Sequence, residues 1–214
     1  MRKRNYHLLS GGLTGLFVLL LCSCYPSGPT NILELNLVVT FNDAQFNFAS
    51  VHTYALPETV FDLPGSDQVN HEYDSLILEA IDNNMTALGY VREIAPEQNG
   101  ADVVLVVSVS RQTIIYGDFS WYSYWGAWPG WEYWGPWDAG WGLYFSWPVG
   151  QTFTTGSIFI EMVDPKAKDS QGTKLPVRWT GIINAALSTS AAATSAQVVS
   201  SVDQCFAQSP YLAK

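Results

Sequence analysis

Leu33, Leu35, Leu37, Val39 and Phe41 take turns with Glu34, Asn36, Val38 and Thr40, a period of two that predicts a strand with one face in a core. Asn42-Asp43-Ala44 predicts a turn, and a second extended piece runs from Val51 to Ala55 before Pro57 stops it. Between Asn70 and Leu88 the period changes. Tyr73, Leu76, Ile77, Ala80, Ile81, Met85 and Leu88 fall on one stripe of a helix, and Gly89 stands where a left-handed residue would end it. Tyr90 to Ile94 predicts a short strand. Val103 to Val109 is aliphatic except for Ser108, which predicts a central strand covered on both faces. Ile158, Ile160 and Met162 alternate with Phe159, Glu161 and Val163, Asp164-Pro165 opens a polar loop to Lys174, and Val177, Trp179, Gly181 and Ile183 predict the returning strand. Val198, Val199, Val202, Cys205 and Phe206 recur at helical spacing, so a last helix is expected to start between Thr189 and Ala193 and to end near Phe206. This order predicts an α+β fold, a mostly antiparallel sheet of about five or six strands with two helices on one face.

The chain opens differently. Arg2, Lys3 and Arg4 precede an apolar run from Leu8 to Leu21, and Leu21-Cys22-Ser23-Cys24 follows. That is the pattern of a lipoprotein signal peptide over residues 1–23, with Cys24 as the lipidated residue because the small Ser23 precedes it. Ser10, Gly11, Gly12 and Thr14 interrupt a run already short for a membrane span. Residues 24–31 then read as the acylated Cys and its tether, 32–207 as one α+β domain with an insertion at 118–149, and 208–214 as a C-terminal tail. The expected location is the cell envelope of a Gram-negative bacterium. Tyr25, where the enterobacterial sorting rule has Asp for inner-membrane retention, favours the outer membrane.

Charge narrows the partners. Without Arg2, Lys3 and Arg4, seven basic side chains face nineteen acidic ones in the chain from Cys24 onward. Nucleic acid is excluded as a partner, since binding it needs clustered cations to displace counterions. An anionic bilayer would also repel this domain, so membrane attachment must come from the N-terminal acyl chains. With Cys22 removed and Cys24 committed to lipid, Cys205 is left alone, and its place on an apolar helix stripe predicts a buried core thiol.

The insertion is the one biased segment. Trp121, Trp125, Trp128, Trp131, Trp134, Trp137 and Trp141 lie in it with Trp147, eight of the nine tryptophans of the chain. Fully exposed, eight such side chains would present on the order of 1,200 Å² of surface, far beyond what soluble monomers leave uncovered. From Trp125 to Trp137 they recur every third residue among Pro129, Pro136 and several glycines. An extended polyproline-type coil would set these rings about 9 Å apart in a row. Such a row suits an extended glycan, the bilayer interface or a protein partner. The competing reading is that the segment folds back on its own sheet or prolongs two strands as a hairpin.

Chemistry is sparse. His52 and His71 lack the spacing of a metal site, and no nucleophile elbow, phosphate loop or calcium loop is present. Asp62, Asp67, Glu72 and Asp74 read as a solvated helix start, Asp102 and Asp164 as turn residues. No catalytic set, metal or cofactor is therefore expected. Val38-Val39-Thr40-Phe41, the stretch from Phe46 to Ala55, Ala87-Leu88-Gly89-Tyr90, Ala101 to Val106, the Gly/Trp/Tyr-rich loop and Val177-Arg178-Trp179-Thr180-Gly181 together resemble the bacterial lipoprotein family known as domain of unknown function 4136. The resemblance spans roughly residues 38–206 by order of elements. It departs where the family often has Trp, at Leu56, and where it has acidic residues, at Asn42 or Asn47. It implies an exported α+β lipoprotein and carries over no site residues. The expected function is a non-enzymatic, lipid-anchored envelope protein that binds an envelope protein or glycan through its Trp-rich segment. The alternatives are an assembly subunit of an envelope complex and a hydrolase of cell-wall or surface glycan.

Overall fold

The computed structural model describes residues 38–63, 71–110, 114–116, 142–145, 151–153, 156–167, 174–184, 186–187 and 195–214. In chain order the elements are β1 (Val38–Asn42), β2 (Thr53–Ala55), β3 (Phe61–Asp62), α1 (Asp74–Ala87), β4 (Val91–Arg92), α2 (Pro96–Asn99), β5 (Val103–Ser110), β6 (Ile114–Tyr116), β7 (Gly142–Phe145), β8 (Gln151–Phe153), β9 (Ser157–Val163), β10 (Lys174–Ile183) and α3 (Ser195–Ala207). The main sheet follows the path β1-β10-β9-β5-β2-β4, with β3 also pairing β5 and β7 also pairing β10.

The α+β class and the two long helices hold, but the sheet is mixed rather than mostly antiparallel. β1 on β10, β10 on β9 and β9 on β5 are antiparallel. β2 and β3 on β5, β4 on β2 and β7 on β10 are parallel. For the pairs among β2, β3, β4 and β5 the crossover that a parallel connection requires includes α1, which stands between β3 and β4 in the chain.

One face of the sheet carries Val103, Leu105, Val107 and Val109 of β5, Ile158, Ile160 and Met162 of β9, and Trp179 and Ile183 of β10. They form one core with Ile77, Ala80, Ile81 and Met85 of α1 and Val198, Val202, Cys205 and Phe206 of α3. Both helices therefore pack on that face. Of the predicted stripes Ile77, Ala80, Ile81, Met85, Val198, Val202, Cys205 and Phe206 are buried and Tyr73, Leu88 and Val199 partly so, whereas Leu76 is not part of the core and Leu78 packs against it instead. Gly89 ends α1 at φ +92°, a conformation a side chain would resist. The opposite face is buried as well, so all eight residues of β5 are covered, as the aliphatic run predicts. That second face is the more polar one, holding Ser108, Ser110, Ser157, Glu161 and Thr180, all fully buried.

Cys205 is a buried thiol whose pKa is pushed up to about 12 by burial. Residues 208–214 lie against the domain. Leu212 is fully buried, the Lys214 N–H donates to Leu88 O at 3.1 Å, and the Lys214 ammonium sits 4.3 Å from the centre of the Tyr90 ring. The strand predicted from residue 33 is described from Val38, and the predicted start of α3 at 189–193 lies outside the described residues.

Candidate functional site

Cys24 and Trp121, Trp125, Trp128, Trp131, Trp134, Trp137 and Trp141 lie outside the described residues, as does the insertion at 118–149 apart from its β7. What the structure gives is the framework on which the Trp-rich stretch is mounted. β5 and β9 pair from Val104 opposite Val163 to Ser110 opposite Ser157. β6 and β8 resume with Ile114 opposite Phe153 and Tyr116 opposite Gln151, at the same pairing offset. The two ladders are thus one antiparallel hairpin, interrupted once. β7 lies elsewhere. Val177 faces Val163 on one side and Phe145 on the other, so β7 occupies the stretch of β10 edge that β1 leaves open beyond Asn42 opposite Trp179.

β6 and β8 form a two-stranded sheet of their own, separate from the main one. Gly156, just before β9, has φ +81°, donates its N–H to Ser110 O and accepts from Leu187 N at 2.8 Å.

A separate open cleft of about 550 Å³ lies along α1, lined by Pro57, Glu58, His71, Asp74, Ser75, Leu78, Glu79, Asp82 and Arg92. Asp82 is its organising group. The Tyr54 hydroxyl donates to Asp82 Oδ1 at 2.6 Å, Arg92 Nη1 donates to the same oxygen at 3.2 Å, and Arg92 Nη2 donates to Leu56 O at 3.1 Å. Burial, then the bond to Asp82, pushes the Tyr54 phenol up to about 12. At the mouth, His71 Nδ1 is 2.7 Å from Asp74 Oδ2 and Nε2 is 3.5 Å from Asp62 Oδ2. With Arg92 committed to Asp82, the lining is acidic. Among the described residues no group of three His, Cys, Asp or Glu side chains is disposed to hold a metal ion. The cleft was not legible in the sequence, since its residues come from the turn after β2, from α1 and from β4.

The two aspartates read as turn residues do more than turn the chain. Asp164 Oδ1 accepts from the backbone N–H of Lys166 and Ala167, while its Oδ2 accepts from Arg178 Nη2 at 2.9 Å. Arg178 also donates to Asp43 Oδ2 at 2.8 Å and lies 4.7 Å from the centre of the Phe46 ring. Asp102 Oδ2 accepts from His52 and Thr53 N–H, and its Oδ1 accepts from Lys166 Nζ at 2.6 Å. These contacts join the β-turns to the sheet and serve the fold.

The chain matches the family described as Domain of unknown function (DUF4136) over residues 38–211. It belongs to that family. A crystal structure of a DUF4136 family protein from Bacteroides thetaiotaomicron shares 32% identity over 83% of this chain and 97% of that one, with a TM-score of 0.61. A PelC dodecamer from Paraburkholderia phytofirmans is similar at 13% identity over 83% of this chain and 98% of that one, with a TM-score of 0.39. Comparison with curated proteins gives no match. No helix among the described residues of this DUF4136 protein is long and apolar enough to cross a membrane.

Proposed function

We propose that this DUF4136 protein is a lipid-anchored, non-enzymatic interaction module of the cell envelope, held by acyl chains on Cys24 and binding an envelope component through Trp121 to Trp141. The outer membrane of a Gram-negative bacterium is the location that Tyr25 favours. One observation carries the binding role. The β5–β9 and β6–β8 ladders keep a single pairing offset, so the hairpin is specified on the sheet side of the Trp-rich stretch. The ninth tryptophan, Trp179, is the one in the described core, fully buried. The other eight tryptophans, clustered in the sequence between Trp121 and Trp147 with few charges among them, have the composition of a contact surface.

The test uses the full chain, exported in a Gram-negative host and purified in detergent. Mass spectrometry should find acyl chains on Cys24 of the wild-type protein and none after Cys24→Ala, and an unacylated wild-type chain would remove the lipid anchor from the proposal. Replacing Trp128, Trp131 and Trp134 together by Ala should abolish cosedimentation with isolated peptidoglycan while leaving the thermal melt and the buried Trp179 emission unchanged. Unfolding of the triple variant would make the segment part of the core and overturn the reading.

A further inference from the structure

We propose that His71 is a proton-operated clasp between β3 and α1 at the mouth of the α1 cleft. Its ring stands between carboxylates of two different elements, Asp74 at the first residue of α1 and Asp62 at the end of β3, at 2.7 and 3.5 Å. A neutral imidazole has one N–H. The short contact puts it on Nδ1, toward Asp74, which leaves the Nε2 lone pair facing the Asp62 carboxylate. Protonation converts that opposed contact into a charge-assisted bond, so the ring ties both elements only when charged.

β3 is two residues long, and α1 has no side-chain hydrogen bond from its N-cap residue Tyr73. Leu63 N–H continues the attachment of β3 to β5 through Val109 O at 2.9 Å. Among the described residues the charged groups around the cleft are Asp62 from β3, Glu58 from the turn after β2, Glu72 beside His71, Asp74, Glu79 and Asp82 from α1, and Arg92 from β4, which is bound to Asp82. Their sum is negative and favours the imidazolium. Burial alone would lower the His71 pKa, but Asp74 and then Asp62 outweigh it and raise it above the ordinary value. A raised pKa sets the sign. The tie is complete below the ordinary histidine range and is lost as pH rises through the folded value.

The experiment is a histidine-resolved NMR titration of the full chain, paired with amide exchange at Leu63 corrected for its intrinsic rate. His71 should titrate above the ordinary value of about 6.5, and Asp62→Asn and Asp74→Asn should each move it down. Leu63 exchange should be slower near pH 5.5 than near pH 8 by about twofold, the scale of an exposed ion pair, and His71→Gln should abolish that difference. A His71 titration at or below the ordinary value, or one that Asp62→Asn leaves unmoved, overturns the proposal. So does an unchanged pH trend at Leu63 in His71→Gln. If His71→Gln fails to fold, Asp62→Asn carries the exchange test, because it leaves the His71–Asp74 pair intact.

Discussion

The indole N–H of Trp179 donates to the Ser209 hydroxyl at 2.8 Å, and both residues are fully buried. Ser209 Oγ in turn donates to Cys205 O at 3.0 Å. One hydroxyl thus fastens β10 to the end of α3. Ser209→Ala leaves the buried indole without this acceptor, and unfolding in urea should show a loss of about 1–3 kcal/mol at unchanged slope. Tyr211, whose hydroxyl lies 3.3 Å from Ser209 Oγ, offers a neighbouring oxygen. Adding Tyr211→Phe should therefore enlarge the loss.

Gly181 lies beneath Cys205. A Cβ there would stand 3.0 Å from Cys205 Cβ and Sγ and 2.9 Å from the Trp179 ring. Gly181→Ala should push α3 from the sheet at a cost of about 1–3 kcal/mol. Labelling of Cys205 under native conditions should accelerate with it, because the thiol leaves the burial that holds its pKa near 12. Combined with Cys205→Ala, which removes only the Sγ overlap, it should recover part of the loss in a double-mutant cycle.

Asp102 sets an acid limit. Burial would raise its pKa, but Lys166 and the N–H groups of His52 and Thr53 outweigh that and hold the carboxyl well below its ordinary range. A depressed folded pKa contributes stability above the unfolded value of about 3.9, lost as pH falls through the folded one. Stability measured from pH 5 downward should decline, and Asp102→Asn should be less stable at neutral pH with a flatter decline. An equally steep fall in the variant would assign acid sensitivity elsewhere.

The long elements were legible because each buries one periodic stripe. Ile77, Ala80, Ile81 and Met85 identify α1, and the aliphatic run of β5 announces cover on both faces. Strand direction was not legible. The parallel pairs rest on pieces as short as Phe61–Asp62 and Val91–Arg92, too brief to carry a period, and on β7 within a stretch dominated by Trp and Gly. His71 reads as an isolated histidine until β3 and α1 bring Asp62 and Asp74 to it. Ser209 and Leu212, read as tail, gain their roles only from Trp179 and the core across the fold.

The single pairing offset of the interrupted hairpin has an evolutionary consequence. Because β5 and β9 fix the count before Tyr116 and Gln151 are reached, residues added to or removed from 117–141 do not shift any rung of the ladder. Selection can therefore rewrite the length and aromatic content of that stretch without changing which residues of β5, β6, β8 and β9 stand opposite one another.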